Sequence, residues 1–192
     1  MAVAFSSEVK ERGSRLIQRL EIGARFTGAH PAWVKFDSVH LTLVFLGWQP
    51  TESLATLIRV MDSAASRQEP FRISLGGLAL FPTPKAPSVL SLGIHGDIDA
   101  LKHLQGMLSE DSRSAGFDVD SREFRPHVTL ARIKSMKGLT GLRDLVASHR
   151  PEGAGSMDVD RITLYRSHLK PDGAEYEVIH QSLLTGDSGP SA

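Results

Sequence analysis

The sequence predicts an α+β fold of two lobes: duplicated βα units related by a pseudo-two-fold, with mainly antiparallel sheets flanked by helices around a central cleft. Three observations carry this expectation. His40-Leu41-Thr42-Leu43 and His127-Val128-Thr129-Leu130 repeat one pattern of histidine, apolar residue, threonine, apolar residue. A stretch of helical periodicity follows each repeat, and two strand-like runs follow each helix. Turn-forming loops separate the paired runs, with Pro82, Pro84 and Pro87 in the first half and Pro171 and Gly173 in the second.

Residues 2–5 suit a short strand. Glu8 to Leu20 places Val9, Leu16, Ile17 and Leu20 at helical spacing behind Ser6 or Ser7 as N-cap, although Gly13 is unfavourable inside a helix. Trp33 to Phe36 suits another short strand. The first repeat falls in a strand from Val39 to Leu46 that Gly47 ends, and Pro50 and Thr51 open a helix carrying Leu54, Leu57, Ile58 and Met61. Phe71 to Leu80 and Ser88 to Ile94 read as paired strands. The second half repeats the order: a helix from Ile98 to Leu108, the second repeat within a strand from Phe124 to Ile133, a helix from Leu139 to Ser148, then strands at Val159 to Tyr165 and Tyr176 to Leu184. Residues 1–184 are expected to form a single bilobal domain in which neither half stands alone. The small, polar, Gly- and Pro-bearing residues 185–192 are expected to be a disordered tail.

Composition narrows the functions open to this chain. Its 192 residues contain 22 Lys plus Arg and 22 Asp plus Glu, so no global field draws it to nucleic acid or to a membrane. An anion must be held by a local patch. The absence of cysteine excludes disulfides, thiolate zinc sites and a thiol nucleophile. Apolar stretches end well short of the roughly 20 residues of a membrane span, and Glu8 and Lys10 interrupt the N-terminal segment where a signal peptide would need an apolar run. The expectation is a cytoplasmic monomer without membrane association. No phosphate-binding GxxxxGK[ST] loop, GxSxG turn or HExxH helix is present, which argues against ATP-dependent ligation. The remaining histidines, His30, His95, His103, His149, His168 and His180, form no metal-ligand spacing, so neither a metal nor a cofactor is expected.

The repeats carry the chemistry. Alternate side chains of a strand share a face, so each repeat presents one imidazole and one hydroxyl together while its apolar residues enter a core. With both repeats at one cleft, one imidazole can take a proton and the other give one, and two hydroxyls can hold an anion. That combination suits metal-free acid–base cleavage of a phosphate ester. Arg122, Arg125, Lys134 and Lys137 against Glu123 form a local basic stretch with two readings, a guide for RNA phosphates or simply a solvated surface, with Arg125 the nearest of them to the second repeat. Phe45 and Trp48 are candidates for stacking on a base at the cleft mouth, although Phe45 shares the parity of Leu41 and Leu43 and so suits core packing.

The segments Val39-His40-Leu41-Thr42-Leu43-Val44-Phe45-Leu46-Gly47 and Phe124-Arg125-Pro126-His127-Val128-Thr129-Leu130-Ala131-Arg132 resemble the two HxTx motifs of the 2H phosphoesterases. Leu164-Tyr165-Arg166-Ser167-His168-Leu169 with Pro171-Asp172-Gly173-Ala174-Glu175-Tyr176 resembles that family's C-terminal hairpin. Within the superfamily the chain is most similar to the bacterial and archaeal RNA 2',3'-cyclic phosphodiesterases, also called 2'-5' RNA ligases. The resemblance implies hydrolysis of RNA 2',3'-cyclic phosphate ends to 2'-phosphomonoesters, with His40 as general acid, His127 as general base, and Thr42 and Thr129 on the phosphate oxygens. It also implies that Arg132 helps hold the phosphate. Strand parity opposes this last role, because Arg132 falls on the face opposite His127 and Thr129 unless the strand bends or ends.

Physics alone leaves open which histidine is acid and which base. Two other readings also remain: a related phosphodiesterase for a small cyclic nucleotide or an ADP-ribose cyclic phosphate, and an RNA-binding module without turnover.

Overall fold

The computed structural model describes residues 1–23, 31–134, 139–148, 153–170 and 173–186. Its strands are β1 (Ala2–Ala4), β2 (Ala32–Trp33), β3 (His40–Thr42), β4 (Phe71–Phe81), β5 (Val89–Gly96), β6 (His127–Arg132), β7 (Gly155–Val159), β8 (Arg161–Lys170) and β9 (Gly173–Leu183). Its helices are α1 (Ser7–Gly23), α2 (Leu54–Ser66), α3 (Ile98–Ser114) and α4 (Leu139–Ser148).

These strands form two sheets, one in the order β3-β1-β8-β9 and the other in the order β2-β6-β5-β4-β7, with every described pairing antiparallel. The lobes are not the sequence halves. The first repeat, on β3, lies in the sheet of the second-half hairpin β8–β9, and the second repeat, on β6, pairs with β5 of the first-half hairpin. Each half has given its hairpin to the other lobe, so neither sheet is complete without both halves.

Local forces set the element ends. The Ser6 hydroxyl accepts a hydrogen bond from the Val9 amide (3.3 Å) at the start of α1, whose Val9, Leu16, Ile17 and Leu20 are all buried. Gly13 is tolerated there because the helix runs against Phe36, which stacks on Phe5 with centroids 6.1 Å apart. A Cβ at Gly13 would lie 2.2 Å from the Phe36 ring. Gly13→Ala should therefore lower stability by about 1–3 kcal/mol despite alanine's better helix propensity. A thermal melt checks this, since a raised Tm would mean the ring moves aside freely.

Several boundaries differ from the sequence reading. The first repeat pairs only over three residues. Beyond Thr42 the Leu43 and Val44 amides both donate to the Met1 carbonyl (3.0 and 3.2 Å), after which the chain leaves the sheet. The expected strand at Trp33 to Phe36 is β2 followed by a 3-10 turn at Phe36–Ser38. Helix α3 continues past Leu108 through a polar stretch with no apolar period, where Asp111 pairs with Arg67 just beyond α2. The strand expected from Val159 is split at Asp160: Val159 pairs with Phe71 in one sheet and Arg161 with Leu183 in the other. β7 itself, Gly-Ser-Met-Asp-Val, has too little apolar alternation to stand out in the sequence. Of the expected tail, the Thr185 and Gly186 amides donate to Ala65 and Gln68 carbonyls (3.3 and 3.1 Å), while residues 187–192, like His30, Lys137, His149, Pro171 and Asp172, lie outside the described residues.

Candidate active site

On β3, Leu41 is buried and His40 and Thr42 point the other way; on β6, Val128 and Leu130 are buried and His127 and Thr129 are partly open. Both pairs open onto one cavity of about 1190 Å³, which Arg132 also lines. The two repeats, distant in sequence, thus bring their imidazoles and hydroxyls to a shared space.

A bulge in β6 resolves the parity of Arg132. Ser91 of β5 pairs with Thr129 and Leu90 pairs with Ala131, so Leu130 is one residue too many on β6. The extra residue shifts the alternation by one. Leu130 and Ala131 are both buried, and Arg132 returns to the face of His127 and Thr129. No described residue forms an ion pair with its guanidinium across this cavity.

The two imidazoles are held alike. The His127 Nδ1 lies 2.8 Å from the Arg125 carbonyl, which can only accept, so Nδ1 carries the proton and Nε2 is left to face the cavity. The His40 ring bonds the backbone of Ser38, again two residues upstream. Phe81 stacks on His127 (4.1 Å, 17° between planes) and Tyr165 stacks on His40 (4.8 Å, 24°). Only His40 is described with a second ring: Tyr176, edge-on at 4.5 Å and 87°. Local sequence pattern carries no sign of these contacts, because the rings come from β4, β8 and β9, and only the hairpin exchange brings them to the histidines.

Burial pushes His40 down to about 4, assisted by the positive charges of the Met1 amino group and Lys10 and opposed by the Ser38 bond. The Met1 amino group is itself pushed down to about 5 by burial and is therefore largely uncharged near neutrality, which leaves desolvation as the dominant cause. An anion in the cavity would reverse this. Saturating inorganic phosphate should raise the proton affinity of His40 at least about tenfold in an NMR titration, and phosphate should bind more tightly as pH falls. An unmoved His40 titration would place the anion elsewhere.

The remaining sequence candidates divide. Arg125 lines the cavity but is paired with Glu123 (2.9 Å), and Arg122 is paired with Asp120 (2.5 Å), so both arginines of the basic stretch are paired inside their own loop. Phe45 is not in the core: the strand has ended before it, parity no longer applies, and it is 75% exposed on the cavity wall. Trp48 is 85% exposed and does not line the cavity. Among the described residues no three His, Asp or Glu side chains gather as a metal site, and no helix is long and apolar enough to cross a membrane.

A family model, the 2'-5' RNA ligase superfamily, matches residues 7–171. The chain belongs to that superfamily. Among relatives of this 2'-5' RNA ligase superfamily member, a protein of Aeropyrum pernix named RNA 2',3'-cyclic phosphodiesterase is 34% identical over 165 residues, 86% of this chain and 93% of the relative. An Aquifex aeolicus protein of the same name is 31% identical over 182 residues, 94% of each chain. The fold superimposes on a crystal structure of a Thermus thermophilus protein with a TM-score of 0.77 at 27% identity, covering 97% of both chains. It superimposes on E. coli LigT complexed with 3'-AMP with a TM-score of 0.73 at 25% identity, covering 96% of this chain and 95% of that one.

Proposed function

We propose that this chain hydrolyses RNA 2',3'-cyclic phosphate ends to 2'-phosphomonoesters by acid–base catalysis with two histidines. The observation that carries the reading is the convergence of His40, Thr42, His127, Thr129 and Arg132 on one cavity. The names of the Aeropyrum pernix and Aquifex aeolicus relatives support the substrate class.

In this mechanism His127, with Nδ1 held by the Arg125 carbonyl, uses Nε2 to draw a proton from water. The water oxygen attacks phosphorus in line, the bond from phosphorus to the ribose 3'-oxygen breaks, and His40 gives its proton to that departing oxygen. Thr42 and Thr129 donate hydrogen bonds to the non-bridging oxygens, and the Arg132 guanidinium offsets the charge that builds on the pentacovalent phosphorus. His40 is neutral in the free enzyme, so it acquires its proton together with the phosphodiester anion. With a ribose hydroxyl of a second RNA in place of water, the same in-line step makes a 2'-5' linkage without ATP.

Product analysis on an oligonucleotide ending in 2',3'-cyclic phosphate tests the reading. The expected product is a single 2'-phosphomonoester, formed at the same rate in EDTA because both proton transfers run through imidazoles. A 3'-phosphate, no turnover, or loss of activity on chelation with recovery on adding one divalent ion would overturn it. A higher kcat/KM on a cyclic mononucleotide than on the oligonucleotide would move the substrate class to small cyclic nucleotides.

A further inference from the structure

Acid–base chemistry needs two unlike histidines, yet the chain supplies two nearly identical repeats. Each imidazole is bonded to the backbone two residues upstream and each is backed by one parallel ring. Among the ring contacts of the described residues, the difference between them is Tyr176. It stands on β9, across from Ser167 on β8, on the hairpin face that also carries Tyr165, and it meets both the His40 ring and Tyr165 (5.9 Å, 69°). It is also a cavity-lining residue, 40% exposed, so it closes one side of His40 while fronting the space where substrate would sit.

Building on the function proposed above, we propose that Tyr176 is a positioning residue that makes His40 unlike His127, adding an edge-on ring beside the stacked Tyr165 and shielding the imidazole from water until an anion occupies the cavity. The ring does this, and the hydroxyl is not required. The groups facing His40 fit such a role. Tyr165 from β8 and Tyr176 from β9 present neutral rings, the Met1 amino group beside β1 is buried, and Lys10 of α1 disfavours a second positive charge. Glu175, the carboxylate next to Tyr176 on the cavity wall, is engaged by Lys170 (2.6 Å) and does not offset them. Burial is the largest cause of the lowered proton affinity of His40, and both rings lie against it, so opening one side should raise that affinity toward the ordinary histidine range.

The test compares Tyr176→Ala with Tyr176→Phe, using Val178→Ala as a control on the same hairpin face but outside the cavity lining. In Tyr176→Ala the proton affinity of His40 should rise at least about tenfold by NMR titration, with that of His127 unmoved. One limb of the kcat/KM pH profile should move and the other stay, and kcat should fall at least about tenfold with KM changed less than about threefold. Tyr176→Phe and Val178→Ala should behave as the parent protein. If Tyr176→Ala leaves the His40 titration and the pH profile unmoved, or raises KM alone, or if Tyr176→Phe is as impaired as Tyr176→Ala, the proposal is overturned. The NMR readout needs no turnover. A parent protein inactive on cyclic phosphates would therefore overturn the proposed function while the titration still decides whether Tyr176 distinguishes the two histidines.

Discussion

His40→Ala and His127→Ala should each lower kcat at least about a hundredfold while leaving the fold intact, which corresponds to about 2.7 kcal/mol of transition-state stabilisation per imidazole. Both side chains are partly open to the cavity, and the strands that carry them are fixed by buried neighbours, Leu41 on β3 and Val128 and Leu130 on β6, so truncating an imidazole leaves the packed face unchanged. Circular dichroism and a thermal melt check the fold, and steady-state rates on a cyclic-phosphate oligonucleotide check the chemistry. The double variant should lose less than the product of the two single losses, because base and acid serve one transition state. Near-parental turnover in either folded variant would remove that histidine from the mechanism.

The hydroxyls should report on the same site more gently, since threonine contributes hydrogen bonds to oxygens and moves no proton in this scheme. What could be read of the site from the sequence was its alternation. The pattern His, apolar, Thr, apolar specifies one polar and one buried face over four residues, and two copies specify two such faces. The alternation did not carry further along either strand. It failed at Phe45, because β3 stops at Thr42 when the next two amides turn to the Met1 carbonyl, a contact between distant parts of the chain. Outside the repeats, a single strand reading failed at Asp160, where the run from Val159 to Tyr165 crosses from one sheet to the other. The aromatic neighbours of the histidines were hidden for a related reason. Tyr165 and Tyr176 belong to the second half but serve the first repeat, and Phe81 belongs to the first half but serves the second. Local periodicity has no term for such an exchange. The α+β class and the helix positions were legible because amphipathic spacing is local, whereas the allocation of strands to sheets depends on long-range pairing.

Arg132→Lys should lower kcat/KM about tenfold or more, whereas Arg125→Lys should change it little. The difference follows from backbone geometry. A regular strand would turn Arg132 away from His127 and Thr129, and the extra residue at Leu130 turns it back. A bulge that re-aims a side chain toward the face of His127 and Thr129 has a cost in unpaired backbone, so its presence there favours a working role for the residue it redirects. Lysine keeps the charge at position 132 but loses the planar fork able to span two phosphate oxygens, so the expected loss is of geometry and not of net charge. Arg125 lines the same cavity, but Glu123 already holds its guanidinium and its contribution to the histidine is a backbone carbonyl, which Arg125→Lys retains. Because Arg132 is exposed, Arg132→Lys should melt at the parental temperature and separate catalysis from folding. A crystal grown with phosphate or a 2'-phosphorylated nucleotide should then hold the anion between His40, Thr42, His127 and Thr129, with both terminal nitrogens of Arg132 within hydrogen-bond reach of its oxygens. If Arg132→Lys works at the parental rate and the arginine points to solvent with the anion bound, Arg132 leaves the site and the two His/Thr pairs act without it.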